Sequence, residues 1–122
     1  MSDPRAGSVV AMTGPGLRLE DLELDAARVA ELLGHGAIQL VDVREDDEWR
    51  GAHIPGARHV DLECLVSSAG TIARDVPVVF YCTLGARGSL AAAAFRRAGY
   101  DAYSLVGGIV AWRCRELPVE GG

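Results

Sequence analysis

Val76-Pro77-Val78-Val79-Phe80-Tyr81-Cys82-Thr83-Leu84-Gly85-Ala86-Arg87-Gly88-Ser89 is the stretch on which the reading of this chain turns. It opens with a run of β-formers, Val76, Val78, Val79, Phe80 and Tyr81, apolar on both faces as a buried parallel strand requires. It breaks into a short loop over 82–87 and enters a helical pattern near Gly88. Open α/β sheets form their binding crevice at the carboxyl ends of such strands, and Cys82 stands there. Helix N-terminal amides, the helix dipole and a curled loop all stabilise negative charge on a sulfur so placed. Cys82 therefore reads as a nucleophile held as thiolate. The other reading is a core cysteine, because free cysteines are among the most buried residues. Against it, Cys82 ends the apolar run, Gly85 and Gly88 leave room for a tight loop, and Arg87 adds a positive charge.

The flanking sequence alternates helix and strand. Asp25 is placed to cap a helix over 26–33, with Ala26, Val29, Leu32 and Leu33 on its apolar face and Gly34 and Gly36 beyond its end. A buried strand follows over 37–44, and then the acidic run Glu45-Asp46-Asp47-Glu48, read as a solvated face or the first turn of a helix. Trp49 is expected as a packing anchor. Residues 51–57 are a turn cluster around Pro55-Gly56, followed by a short strand over 58–60 and a small helix or turn at 62–66. The alanine-rich 88–98 segment is a helix with Arg96 and Arg97 in its last turn and Gly99 as its stop. Residues 100–105 form the last strand, and Ile109 to Arg113 start a closing helix. Gly107 and Gly108 between them allow the backbone to pass close to the Cys82 loop. Continuous apolar strands alternating with helices predict a parallel sheet covered on both faces.

A chain of 122 residues makes one domain. Its net charge of -5 and lack of a basic stripe argue against nucleic acid. No run approaches the roughly twenty apolar residues of a membrane span, and the first residues, Met1-Ser2-Asp3-Pro4-Arg5, do not resemble a secretory signal. Three cysteines close no disulfide framework and have no paired spacing for zinc, so a reducing cytoplasm is expected. The expected organisation is an irregular N-terminal segment over 1–23, the folded domain over 24–117 and a C-terminal tail over 118–122.

From Leu24 to Trp112 the chain resembles the single-domain rhodaneses, sulfurtransferases of the rhodanese-like superfamily. The resemblance rests on three ordered motifs. The first is Leu40-Val41-Asp42-Val43-Arg44 with Glu48-Trp49 and Ala52-His53-Ile54-Pro55-Gly56-Ala57; the second is Phe80-Tyr81-Cys82 with Gly85 and Arg87. Gly99-Tyr100 and Leu105-Val106-Gly107-Gly108-Ile109-Val110-Ala111-Trp112 complete it. It implies a three-layer α/β domain with a small, mostly parallel sheet. It also implies a persulfide on Cys82, loaded from thiosulfate or a persulfide and discharged to cyanide, a thiol or a protein. Arg87 would orient the loop or steer an anionic donor, Thr83, Leu84, Gly85, Ala86 and Gly88 would bind the persulfide, and Asp42, Arg44 and His53 would support the site structurally. No cofactor, metal, nucleic acid or membrane is implied; a monomer or weak homodimer is expected. Cys64 and Cys114 match no catalytic position. Cysteine-based phosphatases are similar but place the arginine one residue further from the cysteine, so the smaller ring here fits a sulfur better than a phosphoryl group. Many members carry a basic or polar residue next to the cysteine and a serine or threonine after the arginine. This chain has Thr83, Leu84 and Gly88 there, from which weak use of free thiosulfate is expected. The competing readings are a partner-dependent sulfur carrier and a small cysteine-based phosphatase or arsenate reductase.

Overall fold

The computed structural model describes residues 22–121. The expected irregular segment lies almost wholly outside them. Five strands form one sheet: β1 (Glu23–Leu24), β2 (Gln39–Asp42), β3 (Arg58–His59), β4 (Val78–Tyr81) and β5 (Ala102–Leu105). Their spatial order is β1-β5-β4-β2-β3 and every pairing is parallel. Four helices connect or follow them: α1 (Ala26–Gly34), α2 (Asp46–Gly51), α3 (Ala86–Arg97) and α4 (Gly108–Cys114). Two 3-10 turns, Leu62–Cys64 and Ala69–Thr71, lie between β3 and β4.

Alternation along the strands sends side chains into two cores. Leu40, Val79, Tyr81, Tyr103 and Leu105 pack against Val29 and Leu32 of α1 and Ile109 and Trp112 of α4. Val41, Val43, Val78, Phe80, Cys82 and Ala102 face Ala91, Ala92 and Phe95 of α3, with Leu65 and Ile72 from the 3-10 turns. Burying a valine, leucine or phenylalanine side chain is worth about 1.5–3 kcal/mol, so a strand buried on both faces is held twice over. All four residues of β4 are buried.

Local signals set the helix starts. The Asp25 carboxylate accepts from the Arg28 amide at 2.8 Å, capping α1. The acidic run opens α2 through a reciprocal capping box between Glu45 and Glu48. α3 begins at Ala86, two residues earlier than the pattern suggested, because Gly85 takes φ +124° and turns the chain at once. Gly88, inside α3, lets the helix sit close on β4: a Cβ there would lie 3.0 Å from the Phe80 carbonyl oxygen. The last residues fold back, with Glu120 and His53 exchanging backbone hydrogen bonds of 2.8 and 2.9 Å.

Candidate active site

β4 ends at Tyr81 and the next residue, Cys82, turns its side chain toward α3. Its Sγ accepts hydrogen bonds from the Gly85 amide at 3.1 Å and the Gly88 amide at 3.4 Å. The sulfur thus lies in a cup of N–H groups at the positive end of a 12-residue helix. The loop's carbonyls point the other way. Cys82 O accepts from the Ile109 amide at 2.9 Å and Thr83 O from the Val110 amide at 3.2 Å. The first turn of α4 therefore holds the outside of the loop while α3 serves its inside. Gly108 makes this fit possible: it has φ +59°, and a Cβ there would run into the carbonyl oxygens of both Cys82 and Thr83. The expected close pass of the glycine pair against the loop is what the structure has. Gly108→Ala is expected to destabilise the fold by about 2–3 kcal/mol, from overpacking against backbone plus a left-handed φ. Urea unfolding measures it, and a loss under about 1 kcal/mol would refute this account of the contact.

Arg87 leaves the first turn of α3 and meets an acid that the sequence did not single out. Its Nη1 and Nη2 donate to the two carboxylate oxygens of Glu48 at 2.8 and 3.1 Å. Nη2 also donates to Thr83 Oγ1 at 3.2 Å, and that hydroxyl donates to Glu48 at 3.0 Å. Glu48 is thus no solvated face but the clamp between α2 and the cysteine loop. The Arg87 hydrogen bonds draw its pKa from the usual 4.5 down to about 2, against a smaller opposing effect of burial. Arg87 is raised in turn, chiefly by Glu48, and the Cys82 sulfur adds in the same direction. A depressed carboxyl stabilises the fold above its unfolded pKa and loses that contribution as pH falls through its folded one. The Glu48 contribution should therefore be complete above about pH 4.5 and gone near pH 2. Glu48→Gln is expected to cost about 1–2 kcal/mol at pH 7 and to flatten that acid limb. Unfolding curves from pH 2 to 7 on both proteins would show it, and superposable limbs would refute it.

Asp42 and Arg44 form the layer beneath. The Asp42 carboxylate accepts from the Arg44 amide at 2.9 Å and from its guanidinium at 2.8 to 3.1 Å, both side chains being buried. Burial alone would lower the Arg44 pKa, but Asp42 outweighs it and the guanidinium stays charged. Arg44 Nη2 continues to the Ala52 carbonyl at 2.6 Å, tying the 51–57 turn to the strand end. The Tyr81 hydroxyl accepts from the Ile54 amide at 3.0 Å; burial, then the Asp42 charge, raise its pKa and keep it neutral.

His53 donates through Nδ1 to the Trp49 carbonyl at 2.8 Å and stacks on the Trp49 ring, with centroids 3.6 Å apart. His59 stacks against the same indole at 5.0 Å and donates through Nε2 to the Arg44 carbonyl at 2.7 Å. Trp49 is thus a packing anchor for both imidazoles. The structure brings Cys82, Thr83, Gly85, Arg87 and Gly88 together, and Leu84 on the loop and Ala86 at the start of α3 are exposed. Cys64 and Cys114 are free and exposed, Cys114 at the end of α4 away from the loop. What sequence reasoning missed is the role of Glu48: it stood beside Trp49 in the first motif and in an acidic run read as a solvated face or a helix's first turn, but nothing marked Arg87 as its partner.

A parallel α/β sheet whose central strand ends in a cysteine cupped by helix amides defines a class of cysteine-loop domains. Within it, this chain belongs to the rhodanese-like family: the Rhodanese-like domain model matches residues 25–114. It is 36% identical over 89 residues to the thiosulfate sulfurtransferase GlpE of Pseudomonas paraeruginosa, covering 72% of this chain and 81% of that protein. It is 40% identical over 80 residues to the uncharacterized protein YqhL of Bacillus subtilis, covering 65% of this chain and 64% of YqhL. The probable adenylyltransferase/sulfurtransferase MoeZ of Mycobacterium tuberculosis is 41% identical over 84 residues, or 66% of this chain and 21% of MoeZ. The chain thus spans under two thirds of YqhL and about a fifth of MoeZ. Among solved structures, the rhodanese-like domain of the Anabaena Alr3790 protein superposes with a TM-score of 0.75 at 28% identity, over 83% of this chain and 80% of that one. The BH2092 protein of Bacillus halodurans gives 0.74 at 29%, over 84% and 78%. No helix among the described residues is long and apolar enough to cross a membrane.

Proposed function

We propose that the chain is a sulfurtransferase that carries a sulfane sulfur on Cys82, taken from thiosulfate or a persulfide and passed to cyanide, a thiol or a protein. The observation that carries this reading is the pair of amides, Gly85 and Gly88, aimed at Sγ. The thiolate attacks the terminal sulfur of the donor, the donor's sulfur–sulfur bond breaks, and its electron pair leaves with sulfite or a thiolate. The outer sulfur of the resulting Cys82–S–S⁻ keeps the negative charge, which suits a cup of N–H donors next to Arg87. An acceptor then attacks that outer sulfur and Cys82 leaves as thiolate. Neither step needs a general acid or base, in keeping with His53 being committed to the Trp49 stack. Arg87 acts here as the positioning residue that locks loop to α2. The likeness to GlpE, a thiosulfate sulfurtransferase, supports the reading. The three free thiols fit a reducing compartment such as the cytoplasm.

The test is intact mass after exposing reduced protein to thiosulfate and, separately, to a low-molecular-weight persulfide. A gain of one sulfur atom at Cys82, discharged by cyanide, is the expected result. No adduct from either donor would overturn it. A stable adduct that cyanide discharges only slowly would favour the sulfur-carrier reading.

A further inference from the structure

β1 is two residues long, and Arg96 sets that length. The Ser104 amide donates to the Leu22 carbonyl at 3.0 Å, and the next rung of a longer β1 would place the Leu22 amide on the Ala102 carbonyl. That carbonyl instead accepts from Arg96 Nε at 3.1 Å and Nη2 at 2.6 Å, which uses both of its lone pairs. The ladder therefore ends at Leu22.

Leu22 is also in the lining of a groove between α3, which contributes Ala92, Ala93 and Arg96, and β5, which contributes Ala102 and Ser104. The groove exists because alanines and a serine stand here, whereas Val78, Phe80 and Phe95 close the neighbouring part of the same layer. Its volume is about 150 Å³ and its lining is mainly apolar. An apolar cavity of that size takes a molecule as large as benzene, so this one has room for an aliphatic side chain. No described residue fills it, and Leu22 at its edge is 46% exposed.

We infer that the groove is the seat of the chain's own N-terminal segment, with Leu19 in the groove and Leu17 against its α3 wall. Residues 1–21 lie outside the described residues, and their sequence ends Leu17-Arg18-Leu19-Glu20-Asp21, directly before Leu22. Leu19 is three residues from a residue of the lining, a reach of at most about 10 Å. Attachment at the rim gives it an effective concentration of the order of millimolar, which a separate partner would have to exceed. The eight lining residues are also far short of the roughly 20–30 a side of a stable protein interface, so a second copy fits the groove less well. Seated there, the segment pins β1 at the edge of the sheet and braces α3, the helix whose amides meet Cys82. The inference stands whether or not Cys82 carries sulfur.

The full chain, labelled with carbon-13 at its leucine and alanine methyl groups, gives the direct measurement. Nuclear Overhauser contacts are expected from the Leu19 methyls to those of Ala93 and Ala102, unchanged on dilution. Hydrogen exchange reads the consequence. Leu17→Ser with Leu19→Ser, both before the family-matched residues 25–114, should speed exchange of the Ser104 amide about tenfold, the worth of about one buried leucine. The Val60 amide, bonded to the Asp42 carbonyl at the opposite edge of the sheet, should keep its rate. Ala93→Glu, which puts a charge on the exposed wall of the groove, should give the same acceleration at Ser104. Combined with the leucine substitutions it should add less than about twofold, because both remove one contact. Absence of the Leu19 contacts, or a Ser104 rate within about twofold of the parent in the leucine variant, would overturn the inference. Contacts that appear only as protein concentration rises would give the groove to a second copy and overturn it as well.

Discussion

Cys82→Ser is expected to lose sulfur transfer from any donor by at least about a thousandfold, with folding stability held within about 1 kcal/mol. The two expectations come from different parts of the same geometry. A serine hydroxyl is close in size to the thiol and can accept the Gly85 and Gly88 amide bonds, so the cup stays satisfied. What it cannot do is form the anion near neutral pH or hold a sulfur–sulfur bond. The comparison variants are Cys64→Ser and Cys114→Ser. Both thiols are exposed and outside the loop, and both variants should transfer sulfur at the parent rate. Steady-state kinetics with a cyanide acceptor decide the matter. Residual transfer in Cys82→Ser within tenfold of the parent would assign the sulfur to another thiol.

Asp42→Ala is expected to cost about 3–5 kcal/mol, because it strands a buried guanidinium rather than merely deleting a contact. Arg44 is 5% exposed and donates its amide and guanidinium to that one carboxylate. In a domain of this size the melting temperature should fall by roughly 15–25 °C. The damage should reach the site as well. Asp42 pairs in register with Tyr81, and the Val43 amide donates to the Tyr81 carbonyl at 3.0 Å, immediately before Cys82. Removing both charges is a different matter: Asp42→Leu with Arg44→Met should recover much of the loss, since no unpaired charge stays behind. Urea unfolding of the single and double variants tests the argument. A single variant within about 1 kcal/mol of the parent would contradict it, as would a double variant no better than the single.

Much of the architecture was legible because it is written locally. The run 76–81 is apolar at successive positions, as a strand covered on both faces requires, and Asp25, Gly36 and Gly99 bracket their helices by known chemistry, while Gly34, expected beyond the end of α1, is its last residue. Cys82 could be placed because strand end and helix start are adjacent in sequence. The Gly107-Gly108 approach to the loop could be anticipated because paired glycines next to a turn have few other uses. The rest depends on pairings between distant positions. Glu48 and Arg87 lie 39 residues apart, and although the first motif includes Glu48, nothing in the sequence says that it will find an arginine. Nothing in the sequence linked His53, in the 51–57 turn, to His59, on the short strand after it, until the fold stacked both on Trp49. Gly85 carried the signal for the early start of α3, but only its φ of +124° reveals that the turn is complete by Ala86.

The order in which the ribosome delivers this chain bears on when the surroundings of Cys82 are complete. Among the described residues β1 pairs only with β5, the last of the five strands in sequence, and the carbonyls of Cys82 and Thr83 are held by amides of α4, which follows it. A nascent chain that has emerged as far as Cys82 has the cysteine but neither the helix that cups it nor the helix that braces it. The cup and its brace are therefore complete only once α4 has emerged, and a chain arrested before Ile109 holds Cys82 in a loop whose two carbonyls have no α4 amide to anchor them.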